Sequence, residues 1–327
     1  MGILLEVKSS PVNIVIYLIV LCFLTSCTEP SEEPLRISSS PWPGYEPLYL
    51  ARDLNYLPSD KVHIFELPSS DINMESFRNR STDVSTLTLD ETLELLHDGI
   101  MLRILLIMDI SNGGDAVLAK PEIKNMGDIK GKRISIVNIT LGLYMLNRFL
   151  DHAGLERNDV EVFPMPESNQ EYFFLQGDAD VVITFEPVKS RLLKHGMHVI
   201  FDSSEIPNEI FDLLVVHEDV YKKRKDDLCF VAQQWFKTLN YIKQNKLDAA
   251  ERITRRLHLN TDQFDILMTG MVLPDRKQNI ELLGGSNPGL ISPAKRLVEI
   301  MRNEKQLLRQ VDVKNAIDPE FARCFNQ

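Results

Sequence analysis

The sequence has little of what enzymes and metal sites require. Its seven histidines are scattered, none of them in a His-x-x-x-His spacing, and no Cys-x-x-Cys pair occurs. A Gly-x-Ser-x-Gly nucleophile turn and a glycine-rich phosphate loop followed by lysine are also missing. These absences argue against hydrolase, P-loop and metalloenzyme chemistry. We therefore expect no catalytic residue, no cofactor and no metal.

Positive charge is also scarce. The 327 residues include 36 Lys and Arg against 47 Asp and Glu, which gives a net charge of −11 at pH 7. Because nucleic-acid-binding proteins need a basic face, this balance argues against a nucleic-acid partner. Hydrophobic residues make up 44% of the chain and charged residues 25%, which is ordinary for globular proteins and enough for about two domains.

The four cysteines define no disulfide framework. Cys22 and Cys27 lie in or next to the N-terminal apolar segment, whereas Cys229 and Cys324 lie far apart in the remaining sequence. The latter two are typical of small buried apolar residues. A disulfide between them is the alternative if the protein resides in an oxidising compartment.

Residues 1–26 are predicted to be a signal peptide. No charge occurs from Ser9 to Thr28, and the apolar core from Ile14 to Leu24 is too short for a comfortable transmembrane helix. The core ends in Leu24-Thr-Ser-Cys27, which resembles a bacterial lipoprotein signal. We expect lipidation of Cys27, a linker over 27–35, and an extracytoplasmic protein anchored in a lipid bilayer. An uncleaved anchor helix with an incidental cysteine is the alternative.

Beyond the linker, apolar strands alternate with helical stretches, which is typical of an α/β fold. Residues 36–118 and 213–327 are predicted to form lobe 1, and 119–212 to form lobe 2. The helix end, turn and strand over 77–88 are repeated in kind over 174–185, which suggests two lobes of one plan. A strand that begins at Asp212 is expected to return the chain to lobe 1, and only helices are expected after it.

The loop after the first predicted strand carries two candidate ligand contacts. The segment Pro41-Trp-Pro-Gly44 cannot continue a strand or a helix. In an open α/β sheet, a loop that leaves the carboxyl end of a strand faces the ligand crevice. Trp42 and Tyr45 would present flat faces with polar groups there. Alternatively, both rings cover the core.

Polar residues follow several other predicted strands, at positions that precede or begin helices. Backbone N–H groups at the helix starts would join them in a binding site. Each is alternatively a helix cap or a turn residue, which is the usual role of Asp and Asn at strand ends. The candidates are Asp90, Asp109, Ser111, Asn112, Asn138, Thr140, Glu186 and Asp212.

Five segments carry a family resemblance: Trp42-Pro-Gly-Tyr-Glu-Pro-Leu-Tyr-Leu-Ala51, Thr86-Leu-Thr-Leu-Asp-Glu91, Asp109-Ile-Ser-Asn-Gly-Gly-Asp-Ala116, Asp128-Ile-Lys-Gly-Lys132 and Thr184-Phe-Glu-Pro187. Together they resemble the solute-binding proteins of ABC importers for nitrate, sulfonates, taurine and thiamine precursors. The resemblance spans roughly residues 36–216. It implies a two-lobed periplasmic binding protein fold of the class II type, with two hinge crossovers and a helical C-terminal region.

By position, the resemblance also implies roles for the candidate residues. Trp42 and Tyr45 would stack on the ligand. Glu186 is explained equally well as a structural residue that caps a helix or bridges the lobes. The other implied positions are lobe 1 for Asp90 and Asp109, lobe 2 for Asn138, Thr140 and Glu186, and the hinge side for Asp212.

The candidate loops hold carboxylates and amides but no Arg or Lys at their tips. Because sulfonate or nitrate would favour a cation there, we expect a neutral or cationic, planar nitrogenous ligand such as a pyrimidine or an amine. The expected protein is a monomer that delivers this ligand to an ABC permease. A sensor that contacts a membrane signalling protein is the second hypothesis. A pyrimidine-precursor synthesis enzyme is the third, although the cysteine-rich motif of such enzymes is missing.

Overall fold

The computed structural model describes residues 33–137 and 139–326. The predicted signal peptide, Cys27 and the candidate Asn138 therefore lie outside the described residues. All described strands and helices belong to the unit from Leu35 to Gln327. Within the described ranges, no helix is both long and apolar enough to cross a membrane.

The described residues contain eleven strands. They are β1 (Leu35–Ser39), β2 (Val62–Glu66), β3 (Val84–Thr88), β4 (Leu102–Ser111), β5 (Asp115–Ala119), β6 (Arg133–Val137), β7 (Glu161–Met165), β8 (Val181–Phe185), β9 (His198–Asp202), β10 (Phe211–His217) and β11 (Met271–Val272).

Twelve α-helices lie in the same part of the chain. They are α1 (Glu46–Asp53), α2 (Ser70–Arg78), α3 (Leu89–His97), α4 (Thr140–Ala153), α5 (Glu167–Gln176), α6 (Val188–Lys194), α7 (Glu218–Lys223), α8 (Lys225–Gln244), α9 (Lys246–Arg256), α10 (Phe264–Thr269), α11 (Arg276–Leu283) and α12 (Ile291–Asn303).

The strands form two sheets. The first has the order β11-β4-β10-β3-β1-β2, and the second has the order β7-β6-β8-β5-β9. In the first sheet β10 lies antiparallel between β3 and β4, as the predicted return strand should. In the second sheet β5 is antiparallel to both β8 and β9. The predicted α/β class with two lobes is confirmed.

The chain passes between the sheets twice, after β4 and after β9. We call the first sheet with its helices lobe 1 and the second sheet with its helices lobe 2. We propose that residues 112–114 and 203–210 are the hinge segments that separate the lobes. The sequence analysis predicts that the first part of lobe 1 ends at residue 118 and that Asp212 belongs to lobe 2. Sheet pairing instead groups β5 with lobe 2 and Asp212 with lobe 1. Only residues 112–114 separate β4 from β5, so the crossing resembles a turn within one lobe.

The strand β4 is buried on both faces, as its near-continuous apolar sequence predicts. The buried side chain of Asn279, on α11, bonds with its backbone: Ile107 N donates to Asn279 Oδ1 at 2.8 Å, and Asn279 Nδ2 donates to Ile107 O at 3.0 Å. This amide occupies one backbone N–H and one C=O of β4, and it holds α11 against the sheet.

The expectation that only helices follow β10 is wrong. The two-residue strand β11 pairs with Ser111 and Ile110 at the end of β4. A segment of two residues is too short to show the alternating pattern of a strand, so the sequence gives no sign of it. Gly270, just before β11, accepts hydrogen bonds from the backbone N–H groups of Asn112 and Gly114 at 2.9 and 2.8 Å. β11 and Gly270 thus secure the first hinge segment to lobe 1.

Candidate functional site

A narrow cavity of about 20 Å³ lies between the two lobes. Lobe 1 contributes the loop after β1 and the starts of α2, α3 and β10, while lobe 2 contributes the start of β5, the end of β8 and the start of α4. This volume holds about one water molecule, so a small-molecule ligand requires the lobes to move apart. The lining residues are Ser40, Pro41, Trp42, Tyr45, Ser70, Thr88, Glu91, Asp115, Ile139, Leu141, Phe185 and Asp212.

The two predicted aromatic residues both line this cavity, and both are fixed by carboxylates. Trp42 Nε1 donates to Asp109 Oδ2 at 2.9 Å, and the Tyr45 hydroxyl donates to Asp212 Oδ1. Trp42 also meets Phe185 of lobe 2 edge to face, with ring centroids 6.2 Å apart. The rings are buried, yet they form part of the cavity wall, so covering the core and facing a ligand are compatible here.

The loop that carries the rings needs glycine at position 44. A Cβ atom there would lie 1.8 Å from Asp109 Oδ2 and 2.5 Å from Trp42 Nε1. Glycine is therefore required for the hydrogen bond between Trp42 and Asp109 to form beneath the loop.

Asp109 and Asp212 form a buried pair of carboxyl groups below the rings. Burial raises the pKa of Asp109, and burial together with the charge of Asp109 raises the pKa of Asp212 well above its usual value. Among the described residues, Asp109 Oδ1 finds no N–H or O–H donor. Two adjacent carboxyls can hydrogen-bond to each other only if one is protonated, so we expect this pair to retain a proton near neutral pH.

A second pair of buried carboxyl groups, those of Asp90 and Glu91, lies at the start of α3. Thr88 and Glu91 form a capping box, in which Glu91 Oε2 accepts from Thr88 N at 2.9 Å. Burial raises the pKa of Glu91, and the neighbouring charge of Asp90 raises it further. Burial also raises the pKa of Asp90, whose Oδ2 has no hydrogen-bond partner in the described part of the chain.

Asp115 is the carboxylate that lobe 2 contributes to the cavity. It is 2% exposed, and its Oδ2 finds no partner within residues 33–137 and 139–326. Burial raises the pKa of Asp115 to about 7, despite a hydrogen bond with Ser111 and the charge of Lys189, both of which lower it. Lys189 Nζ itself donates to Gly113 O at 2.5 Å. Asp115 therefore has an unused acceptor atom at the wall of the cleft.

The lining of this cavity is acidic. Three of the residues that line it are carboxylic acids, and none is Lys or Arg. Asp90 and Asp109 lie behind this wall as further buried acids. Buried charges are normally paired, so an excess of unpaired buried carboxyls requires protons or a bound cationic group.

The structure brings together some of the predicted site residues but not all. Trp42, Tyr45 and Asp212 line the cavity, and Asp109 supports it through the Trp42 side chain. Asp90 is buried next to Glu91 without forming part of the lining.

The remaining described candidates lie outside the cavity lining. Ser111 ends β4 and Asn112 begins the first hinge segment. Ser111 Oγ lies 2.7 Å from Ser203 Oγ of the second hinge segment. Thr140 Oγ1 donates to Glu94 Oε2 at 2.6 Å, which is a contact between the lobes. Glu186 accepts from N and Oγ of Ser190 at 3.1 and 3.0 Å, so the geometry matches the structural alternative of a helix cap.

Sequence reasoning missed Glu91, Asp115 and Phe185 as lining residues. Glu91 is explained locally by the capping box, and Asp115 by the turn after β4. A usable signal existed for Asp115, because it follows the glycine pair of the segment that connects the lobes, next to the cleft. Phe185 directly precedes Glu186, and Phe185 lines the cavity whereas Glu186 does not.

Several hydrogen bonds join the lobes around the cavity. Ser70 N, at the start of α2, donates to Glu167 Oε2 of α5 at 3.0 Å. Lys194 Nζ of α6 donates to Gln263 Oε1 at 2.7 Å. With the Thr140–Glu94 bond, these contacts close the two lobes over the cleft.

Solved structures with the same fold include proteins named for sulfonate binding. The periplasmic aliphatic sulphonate binding protein SsuA of Escherichia coli matches with a TM-score of 0.72 and 16% identity, over 88% of this chain and 92% of that one. The alkanesulfonate-binding protein SsuA of Xanthomonas axonopodis pv. citri, bound to MOPS, gives 0.73 and 16% over 89% and 99%. The desulfurization enzyme DszB gives 0.68 and 15% over 89% and 99%. Identities this low establish the fold alone.

Sequence relatives agree with the two-lobed binding fold. A protein of Brucella abortus (strain 2308) whose name describes it as a binding protein is 31% identical to this chain over 81 residues. That match spans a quarter of the length of each chain. The sequence profile described as NMT1/THI5 like matches residues 42–245. Because this profile covers more than half of the chain, the protein belongs to the NMT1/THI5-like family.

Proposed function

We propose that this protein is an extracytoplasmic solute-binding protein that captures a small nitrogenous molecule, cationic or neutral, for an ABC permease. One observation carries the proposal: three carboxylic acids and no lysine or arginine line the cavity that contains Trp42 and Tyr45. The family and the fold support the class of protein, and the charge of the cleft supports the class of ligand.

The carboxyl groups of the lining indicate where a ligand would bind. Asp115 Oδ2 lies at the wall from lobe 2, and Glu91 and Asp212 face the same cavity from lobe 1. An N–H group or ammonium between them would make charge-assisted hydrogen bonds with carboxylates from both lobes. Such a ligand would compensate for the cost of burying these acids, and the compensation requires both lobes to close on it.

The rest of the wall favours a flat ligand. Trp42, Tyr45 and Phe185 line the cavity together with Ile139 and Leu141. This surface provides aromatic and aliphatic contacts for a ring, while the acids provide acceptors for ring or exocyclic nitrogen. A protonated or amino-substituted heterocycle satisfies both requirements.

A sulfonate is a poor fit to this cleft. The SsuA neighbours are named for sulfonate ligands. A sulfonate here would oppose ionisation of Glu91, Asp115 and Asp212, and the lining of the cavity has no lysine or arginine to pair with it. We therefore do not extend the sulfonate ligand to this chain.

A thermal-shift panel tests the proposed ligand class. Amines, aminopyrimidines and related heterocycles should raise the melting temperature of the purified protein, whereas taurine, nitrate and alkanesulfonates should not. Asp115→Asn, which keeps the shape but removes the charge, should reduce the shift for cationic ligands most. Mass spectrometry of small molecules released from the purified protein would then identify the natural ligand. Stabilisation by taurine or nitrate, without any by amines or heterocycles, would refute the proposed chemistry.

The proposal includes a lipid anchor at Cys27 and delivery to a permease. Labelling of cells with a tagged fatty acid should mark the protein, and Cys27→Ser should abolish the mark. Crosslinking in cells should recover a permease. Recovery of a signalling protein and no permease would favour the sensor hypothesis.

A further inference from the structure

The fold brings together two cysteines that are 95 residues apart in sequence. Cys229 lies on α8, and Cys324 lies in the short 3-10 helix Phe321–Asn326. Cys229 Sγ donates to Cys324 O at 3.7 Å, and Gln233 Nε2 donates to the same carbonyl at 3.0 Å and to Cys229 Sγ at 3.5 Å. Both cysteines are free and half-buried.

We propose that Cys229 and Cys324 are a disulfide-forming pair that fastens the C-terminal segment to α8 when the protein meets a disulfide oxidant. The inference does not depend on the ligand proposed above. It requires only that the folded chain be exposed to an oxidant, as an extracytoplasmic protein would be.

The surrounding packing holds the two segments in place for this bond. Phe325, next to Cys324, contacts Phe236 of α8 with ring centroids 5.2 Å apart. Phe321 contacts Tyr221 of α7 at 5.6 Å on the other side. A disulfide requires Cβ atoms about 4 Å apart, and the hydrogen bond from the Cys229 thiol to the Cys324 carbonyl already places the two residues side by side.

The chemistry balances with a disulfide as oxidant. The thiolate of one cysteine attacks a sulfur of the oxidant and releases one thiol, which leaves a mixed disulfide. The second cysteine then attacks the protein sulfur and releases the second thiol. The two cysteines lose two protons and two electrons, and the oxidant disulfide becomes two thiols. Burial and the hydrogen bond with Cys229 raise the pKa of Cys324, so we expect the second step to be slow at neutral pH.

The bond would stabilise lobe 1 without altering the cleft. Neither cysteine lines the cavity. A link across 95 residues restricts the unfolded chain strongly, and we expect oxidation to raise the melting temperature by about 5 °C or more.

Differential alkylation of the full-length protein tests the pair directly. The protein is treated with oxidised glutathione, excess reagent is removed, and the remaining free thiols are alkylated. The protein is then digested, and the peptide masses are measured by mass spectrometry. We expect a linked peptide that contains Cys229 and Cys324 and is lighter than the sum of its parts by two hydrogen atoms. The melting temperature of the oxidised protein should rise, and reduction should reverse the rise. Peptide mapping keeps Cys22 and Cys27 from confusing the result.

Cys229→Ser and Cys324→Ser are the matched controls, and oxidant should leave the melting temperature of each unchanged. Two results would overturn the proposal. One is that both thiols of the native protein remain free to alkylate after oxidant treatment. The other is that they carry glutathione without linking to each other. Both results can be read on the unmutated protein, so a folding defect in a variant does not affect the test.

Discussion

Trp42 Nε1 donates a hydrogen bond to Asp109 Oδ2 at 2.9 Å, across 67 residues of sequence. The bond connects a ring in the cavity wall to the end of β4, just before the first hinge segment. A change in the position of either side chain must therefore affect the other. Asp109 does not line the cavity, so we expect it to influence ligand binding by positioning Trp42 and Asp212.

Gly44→Ala should disrupt this arrangement. The new methyl group would lie 1.8 Å from Asp109 Oδ2, and either the loop or the carboxylate must move. Overpacking of this kind costs about 1–3 kcal/mol of the free energy of unfolding. We expect a lower melting temperature in thermal denaturation and a loss of binding for whichever ligand the thermal-shift panel identifies.

Gly99→Ala is the control for this change. Gly99 has a φ of 88°, so alanine is strained there, but no heavy atom lies within 4 Å of the new Cβ. The variant should lose about 1 kcal/mol of stability through the backbone alone and should bind ligand normally. Equal losses of binding in the two variants would show that the contact with Asp109 is not the cause.

Tyr45→Phe should destabilise the protein by about 1–3 kcal/mol, because it leaves the buried Asp212 carboxyl without its hydroxyl donor. Tyr241→Phe is a matched control, since it removes the same kind of bond, from Tyr241 to Asp248 at 2.6 Å, at a partly exposed site outside the cleft. The control should change stability by no more than about 0.5 kcal/mol. Chemical denaturation of both variants measures the difference; equal values would contradict the importance of burial at Asp212.

The sequence predicts the fold well because its signals are local and strong. The buried apolar run of β4, the cap at Thr88 and the glycine stop at Gly154 each specify an element through neighbouring residues. The lobe boundary is less predictable. Whether β5 pairs with lobe 1 or lobe 2 depends on hydrogen bonds to distant strands, which no pattern within the segment 112–119 records.

The site is predictable in part for the same reason. Loops at the carboxyl ends of strands point to the cleft, which identifies Trp42 and Tyr45. Asp212 lies at the same edge because β10 is antiparallel to β3 and begins opposite Thr88. Which residue of a polar loop faces the cavity depends on backbone direction: Phe185 lines it, whereas the adjacent Glu186 turns back to Ser190. The same holds at the first hinge segment, where Asp115 lines the cavity and Ser111, on the other side of the segment, does not.

The buried acids predict a stability that falls as pH rises. The pKa of Asp115 is about 7 in the folded protein against an ordinary value of 3.8, so the folded state holds a proton that the unfolded state has released. Between about pH 4 and pH 7 this group should therefore lower the free energy of unfolding by up to about 1.4 kcal/mol per pH unit.

Urea denaturation of the ligand-free protein across this range measures the slope. The side chain of Asn does not titrate in this range. The free energy of unfolding of the Asp115→Asn variant should therefore fall less steeply with pH, and the variant should be more stable near pH 7 than the unmutated protein. An identical pH dependence in both proteins would contradict the raised pKa of Asp115.

The contact between Glu167 and Ser70 should affect ligand affinity more than fold stability. It joins α5 of lobe 2 to the start of α2 in lobe 1 at 3.0 Å, so its loss should weaken closure and leave each lobe intact. A net hydrogen bond of about 1 kcal/mol corresponds to a roughly fivefold rise in the dissociation constant. Calorimetric titration of Glu167→Ala should show this rise, while Glu167→Gln, which keeps an acceptor oxygen, should show less of it. The exposed Glu122→Ala is the control for a lost surface charge, and if its affinity fell as far as that of Glu167→Ala, the effect would have to be assigned to net charge instead of to lobe closure.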